Sequence, residues 1–366
     1  MTLILLVILA ALVFTYINGF HDTANSIATV VATKVLSPRQ AVMLAAVTNL
    51  GGAFIGSAVA TTIASGLVDP KVATSEVLIC ALVAAILWNL LTWWFGMPSS
   101  SSHALVGGLC GACLAAAHNN WNVLVWSVPS PSPKHWWLGT GLIWKVIVPM
   151  ILSPVLGLVF GFLVMGTLYF LLRNWRPAKV NKTFGILQLG SSGFMGISHG
   201  MNDAQKTMGI IALVLLTGTS SGAFDQLPAW LSFLRTAPPE ANQPLAIAAW
   251  IKVLCALTMC AGTALGGWRI IKTIGHKMVR LHPVHGFAAE TTSATVLVTA
   301  ACFGMPVSTT HVVTTSIMGV GCAKGFNYLR LDVVERILWA WIMTIPASGG
   351  VAYLLVKLAQ VAGWIP

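Results

Sequence analysis

Gly96-Met97-Pro98-Ser99-Ser100-Ser101-Ser102-His103 recurs as Gly304-Met305-Pro306-Val307-Ser308-Thr309-Thr310-His311. Only the Ser99/Val307 pair changes the chemistry; every other position is identical or exchanges Ser for Thr. Each copy interrupts a long apolar run, 76–117 and 284–323. A spanning helix needs about 20 residues, so each run is too long for one crossing. The Gly-Met-Pro break divides it into two crossings, or into one helix and a re-entrant half-helix.

The composition sets the context for these runs. Of 366 residues, 57% are hydrophobic and 8% charged, and the mean hydropathy is +0.83. A soluble domain carries roughly 25% charged residues. The apolar runs do not alternate as barrel strands would, and backbone groups in lipid must be paired internally. The fold class is therefore an all-α polytopic membrane protein. Eight long apolar units stand at about 3–33, 40–65, 76–117, 142–172, 184–217, 244–268, 284–323 and 333–360. Counting the pieces of the broken ones gives about ten to twelve helical segments. Residues 3–17 follow no Lys or Arg and read as an uncleaved membrane segment. The seven cysteines, Cys110 and Cys113 included, fall in apolar runs and read as small packing residues rather than a disulfide framework. Trp93, Trp94, Trp136, Trp137, Trp339 and Trp341 are expected at the membrane interfaces.

A net charge of +11 does not indicate nucleic acid here, because the basic residues lie in short loops between apolar units. Counted by side, thirteen fall around 34–39, 173–182, 269–280 and 324–336. Four (Lys71, Lys134, Arg235, Lys357) fall on the other side, and Lys145, Lys206 and Lys252 sit within units. The excess belongs inside, which puts both termini outside. It also gives the halves 1–175 and 176–366 opposite orientation. Two inverted-topology repeats with broken or re-entrant helices are a mark of secondary transporters working by alternating access.

Two acids lie in corresponding places. Gly19-Phe20-His21-Asp22-Thr23-Ala24-Asn25 and Gly200-Met201-Asn202-Asp203-Ala204-Gln205-Lys206 put carboxylates 181 residues apart within apolar units. A charge at the bilayer centre costs roughly 2.5–3.5 kcal/mol on insertion scales, so each needs a partner, an ion or water. Asp22, Asn25, Asp203 and Glu290 form an oxygen-rich set suited to Na⁺ or to a proton relay. Gly19 and Gly200 are expected to let the helix unwind and free carbonyls for the cation. Lys206, standing where the first copy has Asn25, pairs with Asp203 at i, i+3 or meets an anion directly. Asn49 reads equally as a cation ligand or an interhelical hydrogen bond. Glu76 reads as a solvated helix start.

The Gly-Met-Pro copies suit an anion. Pro98 and Pro306 are expected in the first turn of a helix, whose N–H groups point out unpaired. Ser100, Ser101 and Ser102, with Ser308, Thr309 and Thr310, add hydroxyl donors. His103 and His311 follow one turn in, placed to donate to the anion or take a proton. A small tetra-oxo anion between two facing helix N-termini is the natural ligand.

With these four motifs in order, the chain resembles the inorganic phosphate transporter (Pit) family over nearly its whole length. The family carries two Gly-x-(His/Asn)-Asp-x-x-(Asn/Lys) signatures and two Gly-(Leu/Met)-Pro-x-Ser-(Ser/Thr)-(Ser/Thr)-His signatures. The resemblance implies symport of inorganic phosphate with H⁺ or Na⁺, or of a neutral metal–phosphate complex as in some bacterial members. It implies no catalysis, no cofactor beyond the co-transported ion, a homodimer, and a multi-pass protein of the cell (inner or plasma) membrane. Asn49 departs from an acid carried by some members, which weakens the expectation of two symmetric cation sites. Sulfate or another oxyanion on the same scaffold is the related alternative. A non-transporting membrane receptor is the alternative from another class.

Overall fold

The computed structural model describes residues 1–130, 139–236, 245–325, 327 and 329–365. Lys134, Trp136 and Trp137, assigned above to an outside loop and an interface, lie outside the described residues.

Among the described residues the chain forms twelve α-helices and no strand, only two isolated bridges. In chain order they are α1 (Thr2–Ala32), α2 (Pro38–Gly52), α3 (Ala58–Ser65), α4 (Ser75–Trp94), α5 (Ser101–Ala116) and α6 (Val148–Leu172). There follow α7 (Pro177–Ser220), α8 (Ala249–Leu265), α9 (Trp268–Lys272), α10 (Pro283–Cys302), α11 (Thr309–Lys324) and α12 (Leu331–Val361). Among the described residues four helical stretches, Thr2–Ala32, Ser75–Trp94, Ile143–Leu172 and Leu331–Val361, are long and apolar enough to cross a membrane; α8 with Trp268–Gly275, bent by 57°, is a broken span or a re-entrant loop. Leucine, isoleucine and phenylalanine side chains stand exposed on the outside of the bundle, as Leu9, Phe170, Ile186 and Leu358 do. The inside holds the polar groups.

The packing is paired. α1 lies on α4 and α8; α7 lies on α10 and α2. α5 packs on α4 and on the last helix, α12; α11 packs on α10 and on α6. Each contact made by an early element thus has a counterpart made by a late one. Small residues allow the close crossings: a Cβ on Gly157 or Gly161 of α6 would run into α11, and one on Gly107 or Gly111 of α5 into α12.

The Gly-Met-Pro turns are built alike. Gly96 has φ +63 and Gly304 φ +65, the left-handed region open to glycine. Met97 N–H donates to Thr92 O and Met305 N–H to Ala300 O, both at 2.9 Å, closing a Schellman cap on α4 and on α10. Pro98 and Pro306 then stop the chain from continuing. They are not in the first turn of the next helix, as expected from sequence. That helix begins three residues later, at a hydroxyl N-cap. Ser100 Oγ accepts from His103 N at 3.1 Å, and Ser308 Oγ from His311 N at 3.2 Å. The glycine carbonyls are held by hydroxyls of other elements, Gly96 O by Thr273 Oγ1 just after α9 at 2.9 Å and Gly304 O by Thr62 Oγ1 on α3 at 2.7 Å.

A second expectation is corrected. α1 and α7 run unbroken through Gly19 and Gly200, so no carbonyl is freed there. These glycines serve crossing helices instead. A Cβ on Gly19 would meet Met259 O at 2.7 Å, and one on Gly200 would meet Asn49 Cα at 2.7 Å. The real breaks beyond the Gly-Met-Pro turns fall between α2 and α3 and between α8 and α9. Gly200→Ala should therefore lower stability by about 1–3 kcal/mol, seen as a lower Tm in detergent. Gly190→Ala on the same helix, where a Cβ would touch nothing within 4 Å, should not.

Candidate functional site

α5 and α11 start at the centre of the bundle, and their first turns face each other. The His103 and His311 rings meet edge to face at 4.7 Å between centroids. Ser102 Oγ donates to Val307 O at 3.1 Å across the gap. The first-turn N–H groups of each helix have no carbonyl four residues back, so their dipoles converge here. His103 Nδ1 and His311 Nε2 are buried without a hydrogen-bond partner, an arrangement that costs free energy unless a ligand meets them. His311 also stacks on Trp341 at 3.9 Å, and Trp341 Nε1 donates to Pro98 O at 3.1 Å. Trp341 is thus part of the site wall, not the interface anchor expected from sequence. Trp339 and Trp94 are more than half exposed, as an anchor would be.

α1 brings Asp22 and Asn25 to these turns. Ser101 Oγ donates to Asp22 Oδ2 at 2.8 Å, and Thr310 Oγ1 to Asp22 Oδ1 at 3.4 Å. Asn25 Nδ2 donates to Thr309 Oγ1 at 3.2 Å and to Thr310 Oγ1 at 2.9 Å. Asp22 therefore touches both helix starts. α7 brings Asp203, which accepts from Thr309 Oγ1 at 3.4 Å and from the ammonium of Lys206. Asp22, Asn25, Asp203, Lys206 and the hydroxyls and imidazoles of both turns are all at most 3% exposed. Cavities of about 780, 690 and 480 Å³ lie elsewhere on the bundle, and none of them is lined by Asp22, Asn25, Asp203, Lys206, His103 or His311. The site is closed to solvent.

The single mismatch between the Gly-Met-Pro copies has a structural partner set. Ser99 Oγ donates to Thr92 Oγ1 at 2.8 Å, Thr92 Oγ1 meets His21 Nε2 at 3.1 Å, and His21 Nδ1 meets Asp22 Oδ1 at 2.7 Å. At the corresponding late positions stand Val307, Ala300 and Asn202, and Asn202 Nδ2 instead donates to Leu297 O at 3.0 Å. The hydroxyl is present where there is a chain to Asp22 for it to join.

His199 was missed from sequence as a site residue. Its Nε2 lies 3.1 Å from Asp203 Oδ2, without hydrogen-bond geometry, and its Nδ1 faces Asn49 Oδ1 at 3.3 Å. Its spacing of i, i+4 to Asp203 was the available signal. Ligand-capable atoms of Asp22, His199 and Asp203 lie within 4.8 Å of one another. Asn49 donates to Thr263 Oγ1 at 3.1 Å, so it is an interhelical hydrogen-bonder linking α2 to α7 and α8.

Glu290 is held elsewhere. Thr29 and Ser191 each donate to its carboxylate at 2.5 Å, and Gln188 Nε2 at 2.9 Å. Thr29 lies seven residues past Asp22, about 10 Å along the helix. The positions related to Glu290, Thr29, Ser191 and Gln188 by the repeat offsets are Leu82, Ile210, Ala10 and Val7, so this polar cluster is one-sided. All seven cysteines are free thiols, most of them buried or half-buried, with Cys302 exposed.

The model of the phosphate transporter family matches residues 18–352. A probable low-affinity inorganic phosphate transporter of Bacillus subtilis is 39% identical over 97% of this chain and 98% of its own length. One from Mycobacterium bovis is 41% identical over 100% of this chain and 79% of its own. A solved structure described as the sodium-dependent phosphate transporter has the same fold, with a TM-score of 0.75 at 23% identity, covering 99% of this chain and 100% of that one. These relatives are transporters, not enzymes. The chain is a helical membrane protein that belongs to the phosphate transporter family.

Proposed function

We propose that the chain is a secondary symporter that moves inorganic phosphate across the cell membrane by alternating access, driven by H⁺ or Na⁺. Phosphate sits between the first turns of α5 and α11. The cation is held at Asp22 and Asn25 and is linked to Asp203. Glu290 takes part in coupling from its separate position toward the inside. The observation that carries this reading is the pair of facing helix starts, with the unpartnered His103 Nδ1 and His311 Nε2 beside two buried carboxylates.

The same arrangement gives a physical reason for coupling. The hydroxyls of Ser101, Thr309 and Thr310 donate to Asp22 and Asp203. An anion brought beside an ionised carboxylate is repelled by about 4 kcal/mol per pair of unit charges at 4 Å and an effective dielectric of 20. A cation or proton on Asp22 removes that repulsion and releases hydroxyls to turn toward phosphate. Carboxylate acceptors beside the anion also favour one that can itself donate a hydrogen bond. Hydrogen phosphate can; sulfate, fully deprotonated, cannot.

The division into inverted repeats at about 175/176, both termini outside, and a homodimer belong to this proposal. The paired packing of early and late helices and the distribution of Lys and Arg support the repeats and the orientation. A second reading, that phosphate travels as a neutral metal–phosphate complex, is favoured by the mutual approach of Asp22, His199 and Asp203. The metal would then be cargo.

The test is uptake of labelled phosphate into vesicles containing the purified protein. Accumulation is expected under a proton or a sodium gradient, with sulfate in excess competing weakly. No accumulation under either gradient would overturn the proposal. A requirement for Mg²⁺ or Mn²⁺ that chelation abolishes would select the complex as cargo.

A further inference from the structure

The two carboxylates stand in rows of the same spacing. On α1 the row is Asn18, Asp22 and Asn25; on α7 it is His199, Asp203 and Lys206, each 181 residues later. Both rows follow i, i+4, i+7, one face of a helix, and all six residues are at most 2% exposed. Their chemistry is opposite. In the α1 row, Asn18 Oδ1 and Nδ2 and Asn25 Oδ1 are buried with no hydrogen-bond partner. Buried polar atoms are almost always paired, and two amide oxygens flanking a carboxylate are the donor set of a hard cation. In the α7 row no amide flanks the carboxylate. Lys206 forms a fully buried ion pair with Asp203.

We propose that the Lys206 ammonium is a tethered substitute for the monovalent cation in the α7 row. The row on α1 is then the one exchangeable cation site of the pair. This inference rests on the cation-coupled reading given above. Position 206 corresponds to Asn25, whose short side chain ends in an amide. A lysine there reaches farther, placing its charge beyond the amide position, where an ion bound by that amide and the neighbouring carboxylate would lie. An asparagine contributes a ligand oxygen but no charge and so requires an ion. A lysine contributes the charge itself, attached to the chain. Asp203 is neutralised permanently, whereas Asp22 is neutralised only when a cation arrives. Two rows related by the fold thus have different duties: the α7 row is structural in charge, and the α1 row carries the coupling.

The consequence is a gain of function. Lys206→Asn restores the amide-carboxylate pattern of the α1 row, and Lys206→Gln offers the same amide on a longer stem. Lys206→Met removes the charge and offers no oxygen. Equilibrium binding of ²²Na⁺ to the purified full chain, with inorganic phosphate present, should show one more Na⁺ per chain in K206N or K206Q than in the wild type. K206M should show no such gain. In the same preparations Na⁺ should raise the Tm of K206N more than that of the wild type. Phosphate uptake by K206N should fall about tenfold or more without Na⁺, a loss of ~1.4 kcal/mol or more, and recover when Na⁺ is added. K206M should fall and not recover. Equal Na⁺ binding and equal Na⁺ effects on Tm in wild type, K206N and K206Q would overturn the inference. So would rescue of K206M by Na⁺. If the wild type takes up no phosphate, the transport reading fails, while the binding and Tm comparison still decides the role of Lys206.

Discussion

Asp203→Asn should abolish phosphate accumulation and also destabilise the protein by about 3–5 kcal/mol, because it leaves the Lys206 ammonium buried without a counter-charge. Lys206 is completely buried, and Asp203 is its ion-pair partner. Removing one member of a buried pair exposes the full desolvation cost of the other. Removing both does not. The double variant Asp203→Leu with Lys206→Leu should recover most of the lost Tm, and it should remain inactive in uptake, since Thr309 has lost the acceptor that orients its hydroxyl at the site. Thermal unfolding in detergent followed by uptake in vesicles separates the two effects. An Asp203→Asn protein as stable as the wild type would show that Lys206 has another partner or is not charged in the folded state.

Asp22→Asn should behave differently, despite the matched sequence position. Among the described residues no lysine is paired with Asp22; its carboxylate accepts from Ser101 and Thr310 and meets His21 at 2.7 Å. Asparagine retains one acceptor oxygen and leaves no charge stranded, so the Tm should change by little. Cation-driven accumulation should fall by about a hundredfold or more, because the site can no longer gain a cation. A hundredfold corresponds to ~2.7 kcal/mol, less than the ~4 kcal/mol of like-charge repulsion that the cation relieves. Binding of phosphate to the purified variant should survive, since the repelling charge is removed permanently. Loss of uptake together with loss of binding would show that Asp22 holds the anion through its hydrogen-bond network rather than coupling it to the cation.

Much of this organisation was legible in the sequence, and the reasons are physical. A carboxylate in lipid is costly enough that Asp22 and Asp203 stand out in their apolar runs. The Gly-Met-Pro copies stand out as breaks because each interrupts an apolar run too long for one crossing. The repeated hydroxyl rows announce helix starts. Other features were misread because one residue type serves two ends. Gly19 and Gly200 read as sites of unwinding, yet they are contact points for α8 and α2, and glycine in a run of helix is equally suited to both. Pro98 and Pro306 read as first-turn prolines, yet they follow the end of the preceding helix, and the serine two residues on, Ser100 or Ser308, caps the next one instead. Trp341 shares its spacing with lipid-facing neighbours, and only the fold shows that it turns inward onto His311.

The residues that remained hidden are those whose role depends on partners far away in the chain. Thr29, Gln188 and Ser191 become a setting for Glu290 only when α1, α7 and α10 meet. Thr92 is one more hydroxyl in a helix until it is found between Ser99 and His21. His199 had a local signal, its i, i+4 spacing to Asp203, but the triad with Asp22 exists only across the two halves.

We propose that a tetra-oxo anion is held between the first turns of α5 and α11. Arsenate has the shape and charge of phosphate and scatters anomalously at the arsenic edge. A crystal of the protein grown or soaked with arsenate should give an anomalous peak at the facing first turns of α5 and α11, within hydrogen-bonding reach of the Ser101 and Thr310 hydroxyls, with the two imidazoles parted from their edge-to-face contact. A peak elsewhere in the bundle, with the two first turns unoccupied, would overturn this placement of the anion.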